Sequence, residues 1–342
     1  MAEALYTTRW PVVGHEWAIA HLVRSLNAGR LRHAYLFSGP AGVGKTTLAR
    51  ALAQAVCCLD DQARPCGACR ACTLIAHNTF ADFTLIEADR GSLKIDQIRE
   101  MQRTLALRPV EGLRRVIVLR RFQEATGQAM DALLKTLEEP PPHVLLLLTA
   151  DTTETLLPTV LSRCQPVSLR TISASAVRTA LEMAYGLEPE RAALLAQLSG
   201  GRMGWAVRAV SDEGMLTRRA EWLDQLETAL ESNRAGRFAL AEALSKDRPT
   251  LGPLLDLWQS YWRDALLLAC SATTPITNRD RQHSLAQIAR HITAEEARRV
   301  LLAIRRTVHY LAQNAHARLA LDVLMLDLPR IRLYPPPPGQ GD

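Results

Sequence analysis

Gly39-Pro40-Ala41-Gly42-Val43-Gly44-Lys45-Thr46 satisfies the pattern G-x-x-x-x-G-K-[ST] in full. The apolar segment Ala34–Ser38 precedes it and reads as a strand, and the helical pattern Thr46–Cys57 follows it. That strand–loop–helix context is what the motif requires. Its glycines let backbone N–H groups close around a phosphate, and the helix N-terminus adds positive potential. Lys45 then reaches the terminal phosphates and Thr46 can hold Mg²⁺. The candidate nucleotide-binding set is Gly39, Pro40, Ala41, Gly42, Val43, Gly44, Lys45, Thr46 and the adjoining Thr47. The loop has the capacity to take ATP with Mg²⁺.

Outward from the loop, Phe83–Ile86, Val116–Leu119, Val144–Thr149 and Val167–Leu169 also read as strands. Each is short, mostly apolar and bounded by Gly, Pro or polar residues. Helical patterns lie between them, at Ile95–Leu107 and Gln128–Leu137. Near-continuous apolar strands alternating with helices predict an α/β core with a parallel sheet covered on both faces. After about residue 170 the strand signal stops. Ser175–Tyr185, Glu190–Leu198, Leu216–Leu230, Leu251–Cys270 and Glu295–Gln313 carry apolar residues at helical spacing, so an all-α half is expected. The Gly200–Gly201 pair is read as a break separating a small bundle from a larger one. The tail, Pro335–Pro338 and Gly-Gln-Gly-Asp, reads as a frayed end.

The 342 residues are 48% apolar and 22% charged, the make-up of a globular protein with room for two or three cores. A net charge of +6, from 41 basic and 35 acidic residues scattered along the chain, permits contact with nucleic acid without demanding it. The apolar run Val144–Leu148 has the length of a buried strand and not of a bilayer span. Met1–Trp10 holds Glu3 and lacks the apolar stretch of a signal peptide. Five of the seven cysteines fall between Cys57 and Cys72, a cluster that in an intracellular chain points to metal and not to disulfides. A cytoplasmic location is expected.

An ATPase with this loop also needs a carboxylate at the end of a neighbouring strand to hold Mg²⁺. The candidate strand is Arg115–Leu119, and it runs into Arg120-Arg121-Phe122-Gln123. Guanidinium groups stand where carboxylates are needed, and Glu124 falls past the strand end. No hydrolysis by this chain alone is expected.

Cys66-Gly-Ala-Cys69-Arg-Ala-Cys72 sets two C-x-x-C steps in tandem. Thiolates at this spacing converge on a tetrahedral ion, and Zn²⁺ with four sulfur ligands is the ordinary result, structural because no position stays open. The fourth ligand is Cys57 or Cys58, and spacing alone does not choose. Arg64 and Arg70 are too few to make this module a phosphate-binding patch.

Several further segments resemble bacterial clamp-loader AAA+ subunits. They are His33-Ala-Tyr-Leu-Phe, Ala132-Leu-Leu-Lys-Thr-Leu-Glu-Glu-Pro-Pro141, Leu156-Leu-Pro-Thr-Val-Leu-Ser-Arg-Cys-Gln165 and Asn314-Ala-His-Ala-Arg-Leu-Ala-Leu-Asp-Val-Leu324. The resemblance runs from about Trp10 to Pro329. It implies a P-loop AAA+ core over 1–170 with a Cys₄ module inserted at 57–72, a helical lid over 171–210 and a helical oligomerisation collar over 211–330. Residues 331–342 remain as a Pro-rich tail. In that family eight residues separate the first two zinc cysteines, which prefers Cys57, with Cys66, Cys69 and Cys72. Ser162-Arg163-Cys164 matches the family's SRC motif, whose arginine reaches into a neighbour's ATP site as an arginine finger. Motor subunits of the family carry Asp-Glu in place of Arg120-Arg121, and a sensor arginine near the position of Trp205, with Arg202 close by. The departures imply a stator-type subunit, held with tau/gamma-type and delta subunits, that helps load a sliding clamp onto primed DNA. A tau/gamma-type motor ATPase is the alternative.

Overall fold

The computed structural model describes residues 10–89, 91–212, 214–313 and 315–331. The readings placed on the N-terminus before Trp10, on Asn314 and on the Pro-rich tail lie outside the described residues. Five segments pair into one all-parallel sheet: β1 (Ala34–Ser38), β2 (Phe83–Ile86), β3 (Arg115–Leu119), β4 (Val144–Ala150) and β5 (Gln165–Ser168). Their spatial order is β2-β3-β4-β1-β5. Every residue of β1, β3 and β4 is buried. That is why the sequence shows unbroken apolar runs there and not alternation.

The pleat sends alternate side chains to two separate cores. Tyr35, Phe37, Val116, Val118, Leu145 and Leu147 join one core with α1 (Glu16–Asn27), α2 (Lys45–Cys57) and α3 (Arg70–Ala76). Leu36, Ile117, Leu119, Leu146 and Leu148 join the other with α4 (Ile95–Leu105), α5 (Gly127–Glu138) and α6 (Pro158–Arg163). The register pairs Ser38 with Ala150 and Leu119 with Leu148. The residue that follows β4 therefore emerges beside the loop that follows β1.

Between α4 and β3 the chain is pinned by three buried or half-buried polar side chains. Asp82 is fully buried and accepts backbone N–H bonds from Val110, Glu111 and Gly112 at 2.8–3.0 Å. Arg115 pairs with the same carboxylate at 3.3 Å and donates to the carbonyls of Thr104 and Arg108. His143 shares its Nε2–H between the carbonyls of Leu105 and Leu107, 3.1 Å each. This anchored loop displays Leu107, Val110 and Leu113, which are 63%, 72% and 89% exposed.

Three helices follow the sheet: α7 (Ala174–Tyr185), α8 (Pro189–Leu198) and α9 (Met203–Ser211). The chain then divides into two compact units between Val207 and Arg208. Gly200 and Gly201, both at positive φ, form the α8–α9 turn, so the division lies within α9 and not at the glycine pair. The second unit holds α10 (Gly214–Glu231), α11 (Arg234–Ser245), α12 (Arg248–Ala269), α13 (Gln282–His291), α14 (Ala294–Ala312) and α15 (Ala317–Asp327). Leu254, Trp258, Tyr261 and Trp262 of α12 are fully buried in its core. Trp258 Nε1–H donates to the carbonyl of Trp222 at 3.0 Å, and the Tyr261 hydroxyl donates to Glu227 at 2.8 Å. The aromatic stripe is core, not interface. Among the described residues no helix is long and apolar enough to cross a membrane.

Asp82→Ala removes the acceptor for three backbone amides and strands the buried Arg115 guanidinium. Losing one partner of a buried pair costs on the order of 3–5 kcal/mol, so urea unfolding should show a loss of that size. A loss below about 1 kcal/mol would mean that the loop needs no such anchor.

Candidate phosphate site and cysteine cluster

The loop between β1 and α2 is shaped by contacts only glycine tolerates. Gly39 has φ 138°, and a Cβ there would meet the Leu169 carbonyl oxygen at 2.1 Å. Gly42 has φ 83°, and a Cβ there would press on the backbone nitrogen of Trp205 at 3.3 Å. The first turn of α9 lies directly on the loop, where Gly204 N–H donates to the Gly42 carbonyl at 2.7 Å. Trp205 thus stands against the loop. Arg202 also borders the loop, its Cβ 3.6 Å from where a Gly42 Cβ would stand, and its Nε–H donates to the Ser199 carbonyl at 2.8 Å. Buried His15 donates Nε2–H to the Val43 carbonyl at 3.0 Å.

Lys45 is the first residue of α2 and only 6% exposed. Its ammonium has three N–H donors, and three acceptors meet it. They are the carbonyls of Gly39 at 2.5 Å and Pro40 at 2.8 Å, and Asp151 Oδ1 at 2.6 Å. Burial lowers the Lys45 pKa, while the Asp151 charge and hydrogen bond work against that fall. Thr46 is half-buried and Thr47 exposed on the first turn of the helix.

Asp151 was missed by sequence reasoning, which sought a carboxylate after β3. The available signal was an acidic residue two positions past the predicted strand Val144–Thr149. At the end of β3, Arg120 pairs with Glu87 at 2.7 Å and Arg121 with Glu124 at 2.8 Å. Arg121 also approaches the second oxygen of Asp151, Nε to Oδ2 at 3.8 Å. Gln123 Nε2 donates to that oxygen at 3.1 Å. Cations and an amide, not free carboxylates, line this side of the loop.

The cysteine cluster corrects one expected ligand. The sulfurs of Cys58, Cys66, Cys69 and Cys72 all lie within 4.8 Å of one another, and Cys57 is not among them. Cys57 ends α2 on the face that enters the sheet core, with its thiol 3.9 Å from the Arg114 carbonyl. The chain leaves helical geometry at Cys58 (φ −63°, ψ 136°), and that bend turns Cys58 Sγ to within 4.0 Å of Cys69 Sγ. Cys66 Sγ and Cys72 Sγ are also 4.0 Å apart. Four sulfurs on one tetrahedral ion at the usual bond length would stand about 3.8 Å apart, so the donor set fits a metal ion. Backbone N–H groups of Cys66 and Cys69 already point at the sulfurs of Cys58 and Cys66, at 3.4 and 3.2 Å. Burial pushes the Cys57 thiol up to about 12, in keeping with its place in the sheet core.

Arg163 ends α6, about a third exposed. Its guanidinium donates to Glu138 at 2.6 Å and to the Thr159 carbonyl at 3.0 Å. None of its partners belongs to the phosphate loop of the same chain.

Two family models match. The one described as "DNA polymerase III, delta subunit" covers residues 14–173, and "DNA polymerase III, delta subunit, C terminal" covers 213–329. The chain is 34% identical to DNA polymerase III subunit delta' of Pseudomonas aeruginosa, over 69% of this chain and 71% of that one. It is 26% identical to subunit delta' of Bacillus subtilis, over 90% of this chain and 94% of that one. To subunit tau of Escherichia coli it is 37% identical, over 56% of this chain but only 31% of that subunit's length.

Cobalt(II) titration of the full chain should give the absorption of a tetrahedral thiolate site. Cys58→Ser should abolish it and Cys57→Ala should retain it. The opposite result would return the fourth ligand to Cys57.

Proposed function

Since this chain belongs to the DNA polymerase III delta-prime family, we propose that it is the stator-type subunit of a clamp loader. In this reading it joins tau/gamma-type and delta subunits in the cytoplasm and helps load a sliding clamp onto primed DNA. The observation that carries the reading is the phosphate loop itself. Lys45 is neutralised within the chain by Asp151, and Arg120 and Arg121 stand where a motor subunit needs carboxylates. Such a loop can hold a nucleotide but, among the described residues, the end of β3 offers it no unpaired carboxylate to place and activate a water. The identity with subunit tau favours a motor ATPase over about half of this chain; the Arg120-Arg121 pair weighs against it.

Arg163 is the group assigned to act in trans. It sits at a helix end near the surface with Glu138 as its only carboxylate partner among the described residues. A neighbour's phosphate is a stronger acceptor for a guanidinium than a half-exposed carboxylate. The core over 1–170, a lid over 171–210 and a collar over 211–330 complete the assignment. α15 leaves Leu319, Val323 and Leu326 exposed at helical spacing, the kind of apolar face that a joined subunit covers. We assign Zn²⁺ to Cys58, Cys66, Cys69 and Cys72, where it would tie the end of α2 to α3. Four thiolates leave it no open position for catalysis.

The test is reconstitution with motor and delta subunits, comparing wild type with Arg163→Ala in single-turnover ATP hydrolysis. Removing an arginine finger slows the served site by on the order of 10³-fold, while the isolated chain shows no turnover in either form. Unchanged hydrolysis in the complex would remove Arg163 from its role, and robust turnover by the isolated chain would overturn the stator reading.

A further inference from the structure

Nucleotide sites built on this loop normally share the phosphates between the lysine and a magnesium ion. The residues here do not fit that ion. Arg120 and Arg121 offer no acceptor. Glu87 and Glu124, the carboxylates nearest to them, are each taken by one of those arginines at 2.7 and 2.8 Å. Asp151 is the carboxylate closest to the loop, and both its oxygens are engaged, Oδ1 by Lys45 at 2.6 Å and Oδ2 by Gln123 at 3.1 Å.

What the site does present is a carboxylate, Asp151, flanked by two cations, one of which, Arg121, is also paired with Glu124 at 2.8 Å. Lys45 faces one oxygen of Asp151, and Arg121 faces the other at 3.8 Å. Arg121 is held for this position. Its backbone sits in the left-handed region, φ 53°, unusual for a residue with a long side chain, and its N–H donates to Thr149 Oγ1 at 3.0 Å. Such a conformation costs free energy and tends to persist at binding sites. The side chain is 53% exposed, and its pair with Glu124 at 2.8 Å is one a phosphate can compete with. A planar guanidinium grips phosphate oxygens through paired donors.

We infer that the phosphate loop binds an adenine-nucleotide polyphosphate without magnesium, the terminal phosphate displacing the Asp151 carboxylate from Lys45 while Arg121 supplies the charge that the metal ion otherwise brings. The inference rests on the reading of Gly39–Thr47 as a nucleotide site and deepens it. Magnesium on the ligand would neutralise the charge that draws it to Lys45 and Arg121, so the metal weakens binding here. Asp151 acts as the internal competitor.

The experiment is a titration of the full chain with ADP and with ATP, in excess magnesium and in chelator, read by calorimetry. Affinity should be equal or higher in chelator. Arg121→Ala should weaken the metal-free affinity by on the order of tenfold, and Asp151→Asn should raise it by a similar factor. Circular dichroism confirms that each variant is folded. Affinity that rises about tenfold with magnesium would make Asp151 a metal ligand and overturn the inference while leaving the nucleotide site standing. A folded Arg121→Ala chain that binds like wild type would also overturn it. Failure to bind either nucleotide in both conditions would remove the nucleotide site itself, and the inference with it.

Discussion

A buried ammonium cannot be left without acceptors, and the first unit is arranged around that constraint. Lys45 opens a helix at 6% exposure with all three donors used, two on its own loop and one on the carboxylate that follows β4. The contact to Asp151 exists only because β4 lies next to β1. The loop shape follows from the same need, since the Gly39 and Pro40 carbonyls turn inward to the ammonium. In turn the first turn of α9 closes on Gly42. An ion pair of this kind lets the loop keep its form with or without a phosphate in it.

The strands were legible because a sheet buried on both faces has no polar alternation to obscure it, and β1 to β5 fall within about two residues of where apolar runs place them. The helical half was legible by period, and the helix predicted over Leu251–Cys270 is the one that buries Trp258, Tyr261 and Trp262. The site was legible only where its residues are consecutive. Gly39–Thr46 announces itself. Asp151 does not, because what brings it to Lys45 is the order of strands, and strand order is a property of the folded sheet. Cys58 failed for a different reason. The choice between adjacent cysteines depends on which peptide leaves the helix, a difference of one backbone torsion that no count of residues conveys. The glycine pair at 200–201 marked a real turn, but a turn between helices and a boundary between units look alike in sequence.

The same local chemistry separates the two arginine positions. Arg121 is turned into its own chain's phosphate site by a left-handed backbone, whereas Arg163 ends a helix on the surface and is steadied by a single carboxylate. In the proposed reading one acts within the chain and the other beyond it. Their sequence neighbourhoods, a strand end and a helix end, are what decide this, because identical side chains differ only in where the backbone aims them.

The anchored loop before β3 has a consequence for the chain as a colloid. A supple loop could tuck leucines away from water when nothing else covers them. Leu107, Val110 and Leu113 have no such freedom, since Asp82, Arg115 and His143 hold the backbone beneath them. Their stickiness is therefore a fixed property of the free chain and not a passing one. An apolar trio held open in this way is a standing liability for association, one that a covering surface would relieve.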